Sequence, residues 1–163
     1  MKLRALEQRD APLMLEWMHD ESVVSHLGAN FMEKTIDDCH RFIDWAGSTD
    51  TDLHLAVADE NDEYMGTVSL KHIHNGTAEF AITVRACAMG KGYARDGMAA
   101  ILEKGLRELG LSAIYWCVSR ENARAVRFYD KNGYSRTESV PKHILEAYTP
   151  EQLAGFYWYV VRG

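Results

Sequence analysis

The stretch Arg85-Ala-Cys-Ala-Met-Gly-Lys-Gly-Tyr-Ala-Arg95 separates two halves of the chain with different periodicity. Before it, Thr77 to Val84 alternates as a strand, with Glu79, Ala81 and Thr83 on one face and Phe80, Ile82 and Val84 on the other. After it, Met98, Ile101, Leu102, Leu106 and Leu109 recur at helical spacing, which predicts an amphipathic helix from about Tyr93 to Leu109. A helix start leaves backbone N–H groups unpaired and carries about half a positive charge. Gly90, Gly92 and Ala94 let an anion come close to those groups, and Lys91 and Arg95 add cationic side chains. Taken alone, the pattern equally describes a glycine-rich turn before a core helix. It is neither a dinucleotide fingerprint, which needs Gly-x-Gly-x-x-Gly after an early strand, nor a Walker loop, which needs Gly-Lys-Ser/Thr.

Working outward, the middle of the chain reads as an antiparallel meander. His54 to Ala58 and Tyr64 to Ile73 are joined by Glu60-Asn61-Asp62, and Asn75-Gly76 is a hairpin signal leading into Thr77 to Val84. Lys2 to Leu6 is a first strand. Asp10 is the expected N-cap of a helix carrying Leu13, Met14 and Trp17. Thr35 with Asp38 predicts a capping box for a helix burying Cys39, Phe42 and Ile43. Between these helices, Ser22 to Lys34, with Gly28 and Asn30, reads as an irregular loop suited to wall a pocket.

Downstream, Gly110 ends the long helix and Ala113 to Val118 is a strand. Asn122 to Lys131 is a short helix stopped by Asn132-Gly133, and Tyr134 to Ser139 and Phe156 to Val161 are further strands. A strand, a helix and a strand in succession require a parallel pair. The expected fold is therefore α/β (α+β): a mixed, mostly antiparallel sheet of about six to seven strands with one parallel pair, flanked by about four helices.

The chain has 163 residues, 47% of them apolar and 26% charged, with a formal net charge of -6. That length suits a single domain spanning 1–163. The acidic balance argues against a nucleic-acid binder and is compatible with cationic acceptors. No apolar run reaches a membrane span and no signal-like segment opens the chain, so no membrane partner is expected. Cys39, Cys87 and Cys117 are distant and odd in number, which reads as reduced thiols in a cytoplasmic protein.

The segment Asn122-Ala-Arg-Ala-Val-Arg-Phe-Tyr-Asp-Lys-Asn-Gly-Tyr134 resembles the second signature of the GNAT superfamily of acyl-CoA N-acyltransferases. The loop Met89 to Arg95 resembles that family's phosphate loop. Leu15-Glu16-Trp17 and Tyr64 to Leu70 resemble the branch of ribosomal-protein N-terminal acetyltransferases and spermidine acetyltransferases. The resemblance covers roughly Lys2 to Ser139 and implies acetyl-CoA as co-substrate and an amine acceptor. It implies that the backbone of Ile82, Thr83 and Val84 pairs with the pantetheine arm. Met89, Gly90, Lys91, Gly92, Tyr93, Ala94 and Arg95 would hold the pyrophosphate, Asn122 would touch the cofactor, and Tyr129 would face the thioester sulfur. It also allows a homodimer. Met89 departs from the family's usual Gln or Arg. Cys117 stands where some N-terminal acetyltransferases carry a glutamate base.

Direct transfer needs a deprotonated amine, donors for an oxyanion and a proton for the leaving thiolate. Tyr129 suits the acid role, because a phenol with pKa of about 10 stays protonated at neutral pH. It would equally serve as a core tyrosine on the apolar face with Ala125 and Val126. Glu79 is the preferred base, acting through water, since a carboxylate on a central strand is unusual; a salt-bridged Glu is the alternative. His72 and His74 alternate on one strand but lack further ligands, so no metal is expected. Glu33, Asp37 and Asp38 could attract a cation, though the helix dipole alone explains first-turn acids. The expected function is transfer of an acetyl group from acetyl-CoA to a primary amine (a polyamine, an amino sugar or another small amine) by direct attack in a ternary complex. The alternatives are a protein N-terminal acetyltransferase and a non-catalytic CoA-binding regulatory module.

Overall fold

A computed structural model of the chain describes residues 1–27 and 29–163. The meander is β1 (Lys2–Ala5), β2 (Leu53–Ala58), β3 (Tyr64–His74) and β4 (Thr77–Val84), and β5 (Ala113–Ser119), β6 (Ser135–Arg136) and β7 (Phe156–Arg162) follow. They form one sheet in the order β1-β2-β3-β4-β5-β7-β6, in which only β4 and β5 run parallel. The mixed sheet with one parallel pair is thus present.

Seven α-helical segments accompany it: α1 (Ala11–Met18), α2 (Glu21–Val24), α3 (Ile36–Ala46), α4 (Tyr93–Glu103), α5 (Ala123–Lys131), α6 (Lys142–Leu145) and α7 (Pro150–Ala154). Among the described residues, α1, α3, α4 and α5 are the ones of eight residues or more, and these are the four that periodicity reveals. The other three span one turn or little more, too short for a repeating apolar stripe.

Several local expectations need correction. Asp10 does not cap α1. Its carboxylate accepts from the Glu7 amide and, bidentately, from Arg4, while the helix starts at Ala11, with Pro12 in its first turn, without a side-chain cap. The segment from Ser22 to Lys34 is not wholly irregular, because α2 and a 3-10 turn at Phe31–Glu33 occupy much of it; Gly28 lies outside the described residues. The strand expected from Tyr134 to Ser139 shrinks to Ser135–Arg136 on the outer edge of β7. By contrast, Thr35 and Asp38 form the capping box, worth about 1 kcal/mol. Gly133 takes φ 81° just past α5.

The sheet is covered on both faces, which explains why β3 is buried without alternation from Tyr64 to Leu70. On one face α4 and α5 pack over Val57, Val68, Leu70, Phe80, Trp116 and Tyr159. Gly97 permits this approach, since a Cβ there would fall 2.9 Å from Val57 Cγ2. On the other face α1 and α3 bury Met14, Trp17, Cys39, Ile43 and Tyr64, and a separate cluster joins Tyr115, Ile144, Trp158 and Val160.

Candidate active site

The parallel pairing of β4 with β5 is brief. It joins Thr77 to Ala113, Ala78 to Ile114 and Glu79 to Tyr115, then stops. Beyond that point β4 stays bonded to β3 through Val84, and β5 stays bonded to β7 through Ser119. A wedge therefore opens in the sheet after Glu79, with the edge of β4 that contains Ile82, Thr83 and Val84 facing it. Backbone N–H and C=O groups on such an edge can pair with an extended ligand as another strand would.

At the far end of β4 the chain passes through a 3-10 turn, Ala86–Ala88, to the start of α4. Gly90 and Gly92 adopt φ 76° and 86°, conformations that other residues rarely accept. A Cβ on Gly90 would meet nothing within 4 Å, so this glycine serves conformation and leaves open space beside the loop. Lys91 and Arg95 are exposed, and Arg95 Nε bonds Asp96 at 3.1 Å. Arg85 turns inward, bonding both Glu16 oxygens at 2.7 and 3.1 Å and Glu63 at 3.1 Å, which anchors the loop to α1 and the β2–β3 turn.

Glu79 stands where the wedge opens, on the face opposite Phe80. Tyr129 packs with Phe80 and Trp116 on the α4–α5 face, and Cys117 interacts electrostatically with both Glu79 and Tyr129. Glu79 is 2% exposed, and the Tyr148 hydroxyl donates to its Oε2. Its Oε1 is buried with no hydrogen-bond partner among the described residues, lying 3.8 Å from His72 Nε2 and 4.0 Å from Lys71 Nζ. Burial first, then the Glu79 carboxylate, pushes the Cys117 thiol up to about 12. A thiol held that firmly protonated is no base, so Cys117 does not replace the glutamate of the N-terminal acetyltransferases. Tyr129, from α5, packs edge-on to Trp116 at 5.6 Å and tilted against Tyr159 at 5.1 Å. Burial first, then neighbouring Cys117, holds its hydroxyl above the ordinary phenol value. That hydroxyl makes no hydrogen bond among the described residues. Asn122 caps α5, its side chain accepting from the Ala125 amide at 3.2 Å, which leaves only its NH2 group for a ligand.

Other expectations are not met in the same way. A bulge between Lys71 and His74, with His72 at φ 54°, breaks the alternation of His72 and His74. His74 instead packs on His143 at 5.2 Å. No grouping of three metal-binding side chains occurs among the described residues. Glu33 and Asp37 are exposed, whereas Asp38 lines a cavity. Cys87 is exposed, unlike buried Cys39.

Two residues escaped the sequence. Tyr148 follows α6 in a tail with no periodic signal, and only its contact with Glu79 marks it. Arg124, on α5, reaches the loop before α4, with Nη1 3.6 Å from Met89 Sδ. It places a cation beside the position where the family's own side chain is missing. A cavity of about 330 Å³ adjoins this region, walled by Met14, Trp17, Phe31 and Phe42 and floored by Ser69, Ala81 and Thr83. A second cavity, of about 460 Å³, lies by Arg120, Arg136 and Tyr157 and contains none of these residues.

The sequence model of the acetyltransferase (GNAT) domain matches residues 1–135. The chain belongs to the GNAT acetyltransferase family. It is an acetyl-CoA-dependent N-acetyltransferase. It is 27% identical over 137 residues to the spermidine N(1)-acetyltransferase of Vibrio cholerae, covering 82% of this chain and 78% of that one. It is also 27% identical over 143 residues to the spermidine N(1)-acetyltransferase of Escherichia coli K12, covering 83% and 73%. In fold it matches the Vibrio cholerae spermidine N-acetyltransferase in complex with CoA and spermine. There the TM-score is 0.80 at 22% identity, over 99% of this chain and 94% of that one. A GNAT-family acetyltransferase of Bacillus anthracis matches with a TM-score of 0.76 at 20% identity, over 98% and 93%. No helix of the described residues is long and apolar enough to cross a membrane.

Proposed function

We propose that residues 1–163 act as one unit that transfers an acetyl group to a small primary amine by direct attack in a ternary complex. The observation that carries this reading is a buried carboxylate with one unpartnered oxygen, Glu79 Oε1, where β4 and β5 part. A cationic amine would satisfy that oxygen, whose burial without a partner costs about 1–3 kcal/mol or more. The polyamine acetyltransferases among its relatives make a polyamine one candidate, with amino sugars and other small amines beside it.

The residues fit acetyl-CoA at both ends. The free edge of Ile82, Thr83 and Val84 suits the amide groups of the pantetheine arm. The loop from Met89 to Arg95 suits the pyrophosphate, through backbone N–H groups at the start of α4 and the charges of Lys91, Arg95 and Arg124. Acetyl-CoA supplies the thioester that the amine attacks. Asn122 orients it by its free NH2 group.

The nitrogen must lose two protons, one before attack and one after the C–N bond forms. Glu79 draws in the ammonium and serves as base through water. Tyr129 gives its proton to the departing sulfur; because burial holds it above the ordinary phenol value, it stays protonated until that charge develops. The test is thiol release from acetyl-CoA with polyamines, amino sugars and simple alkylamines. Turnover with at least one supports the reading, and tight acetyl-CoA binding without turnover on any amine opposes it.

A further inference from the structure

A second polar constellation lies on the same sheet face as Glu79 and takes no part in the reading above. His54 and Ser69 are register partners on β2 and β3, and Ser69 is the register partner of Ala81 on β4. The three form a row across the sheet that ends on the strand with the free edge, and all of them line the 330 Å³ cavity. His54 Nδ1 lies 2.6 Å from Ser69 Oγ, and His54 Nε2 lies 3.2 Å from Asp52 Oδ2. Asp52 is itself fixed, its Oδ1 accepting from the Thr51 hydroxyl at 3.1 Å and the His72 amide at 3.2 Å. His54 is 7% exposed and Ser69 6% exposed. Phe42 and Trp45 of α3 cover the imidazole, at 4.9 and 5.3 Å between ring centres.

These contacts set the proton positions. Asp52, an acceptor only, requires N–H at His54 Nε2, so Nδ1 is the acceptor of the Ser69 O–H. The lone pairs of Ser69 Oγ then remain for a donor in the cavity. Burial first, against the pull of Asp52, lowers the His54 pKa, and Lys71 and His72 on β3 act in the same direction. Lys34 and Asp38 are the charged groups at the cavity on the α3 side. The imidazole is therefore neutral and ready to accept at neutral pH.

We infer that Ser69, His54 and Asp52 form a proton relay that deprotonates the acceptor's ammonium group inside the cavity before it reaches the thioester. This rests on the transferase reading. An N–H of the ammonium passes its proton to Ser69 Oγ as the Ser69 proton moves to His54 Nδ1. The neutral amine goes forward, and the imidazolium, balanced by Asp52, later returns its proton to water. Glu79, beside Cys117 at the wedge, is left with the second proton, released once the C–N bond has formed. Ser69 is the residue that touches the substrate; His54 and Asp52 are positioning residues acting through it.

The relay and a structural His-Ser contact differ in one measurable respect. Ser69→Ala and His54→Gln should lower kcat/KM about 100-fold for an alkylamine that is protonated at neutral pH. The same variants should lose little with trifluoroethylamine, which is already uncharged there. In the wild type, alkylamine turnover should fall as pH drops through a value below the ordinary histidine range, and Ser69→Ala should remove that limb. Glu79→Gln should lower kcat with both amines, since the second proton leaves each of them after the C–N bond has formed. Because the comparison is a ratio of two amines within one protein, partial loss of folding does not obscure it. Equal losses with both amines, or no loss with either, would overturn the relay while leaving the transferase intact. A wild type that turns over neither amine would remove both readings.

Discussion

The hydroxyl of Tyr148 donates to Glu79 Oε2, so a residue from the C-terminal tail holds a carboxylate from the central strand whose other oxygen has no hydrogen bond among the described residues. The contact joins the region after α6 to the mouth of the wedge. Under the proposed function it would give the tail a part in acceptor binding.

Removing that donor should loosen the carboxylate without removing its charge. Tyr148→Phe is expected to raise KM for the amine several-fold, with acetyl-CoA affinity unchanged; a charge-assisted hydrogen bond is worth about 1.5–3 kcal/mol. Glu79→Gln should act more severely, on kcat as well as KM. Initial-rate kinetics with each substrate varied in turn would separate the two effects.

The phosphate loop yields a second expectation. Arg124→Ala should weaken acetyl-CoA binding about tenfold, by the loss of one charge-assisted contact to an anion. Met89→Arg, which restores the family's cationic side chain, should recover much of that loss in the same protein. Isothermal titration at two salt concentrations would test both, with the Arg124 effect shrinking at high salt.

Thiol reactivity should follow environment. Cys87 is exposed, whereas burial raises both Cys39 and Cys117, the latter to about 12. A thiol with a raised pKa is almost entirely protonated at pH 8 and reacts slowly, and its reactivity grows only as pH approaches the raised value. Iodoacetamide at pH 8 should therefore label Cys87 first and Cys117 far more slowly, as peptide mass mapping would reveal.

Gly66 sets the position of the β4 edge. A Cβ there would lie 2.5 Å from the Thr83 carbonyl oxygen and 2.9 Å from Val84 Cγ1. Gly66→Ala must push β4 away from β3 and should cost about 1–3 kcal/mol in denaturant unfolding. Because Thr83 and Val84 belong to the proposed pantetheine edge, acetyl-CoA affinity should fall as well.

Much of this architecture was legible in the chain. The Asn75-Gly76 hairpin, the buried stripe of Met98, Ile101 and Leu102 and the Thr35 capping box each announce themselves through a local rule that the fold obeys. The expected stripe overruns at its end, however: the α-helix gives way to a π-helical turn over Lys104–Glu108, and Leu109 is exposed. The change of period around Arg85 to Arg95 was enough to require the parallel pair. Asp10 misled because an N-cap signal and a buried ion-pair partner use the same residue type, and Arg4 decided between them. The free backbone edge of Ile82, Thr83 and Val84 is implied by the resemblance alone, and the wedge beside it has no sequence signal, since where two strands cease to pair depends on their tertiary surroundings. Glu79 stood out as a charge on a central strand, but Tyr148, Arg124 and the Asp52–His54–Ser69 row arise from contacts between distant segments. No spacing encodes them.

In the proposed reaction Tyr129 supplies the proton to the leaving sulfur, a step that one substitution isolates. Tyr129→Phe keeps the ring packing against Trp116 and Tyr159 and removes only a hydroxyl that makes no hydrogen bond among the described residues. Thiol release measured at saturating acetyl-CoA and amine should fall by about 100-fold or more, with acetyl-CoA affinity little changed. An unchanged kcat would return Tyr129 to the core and contradict the account.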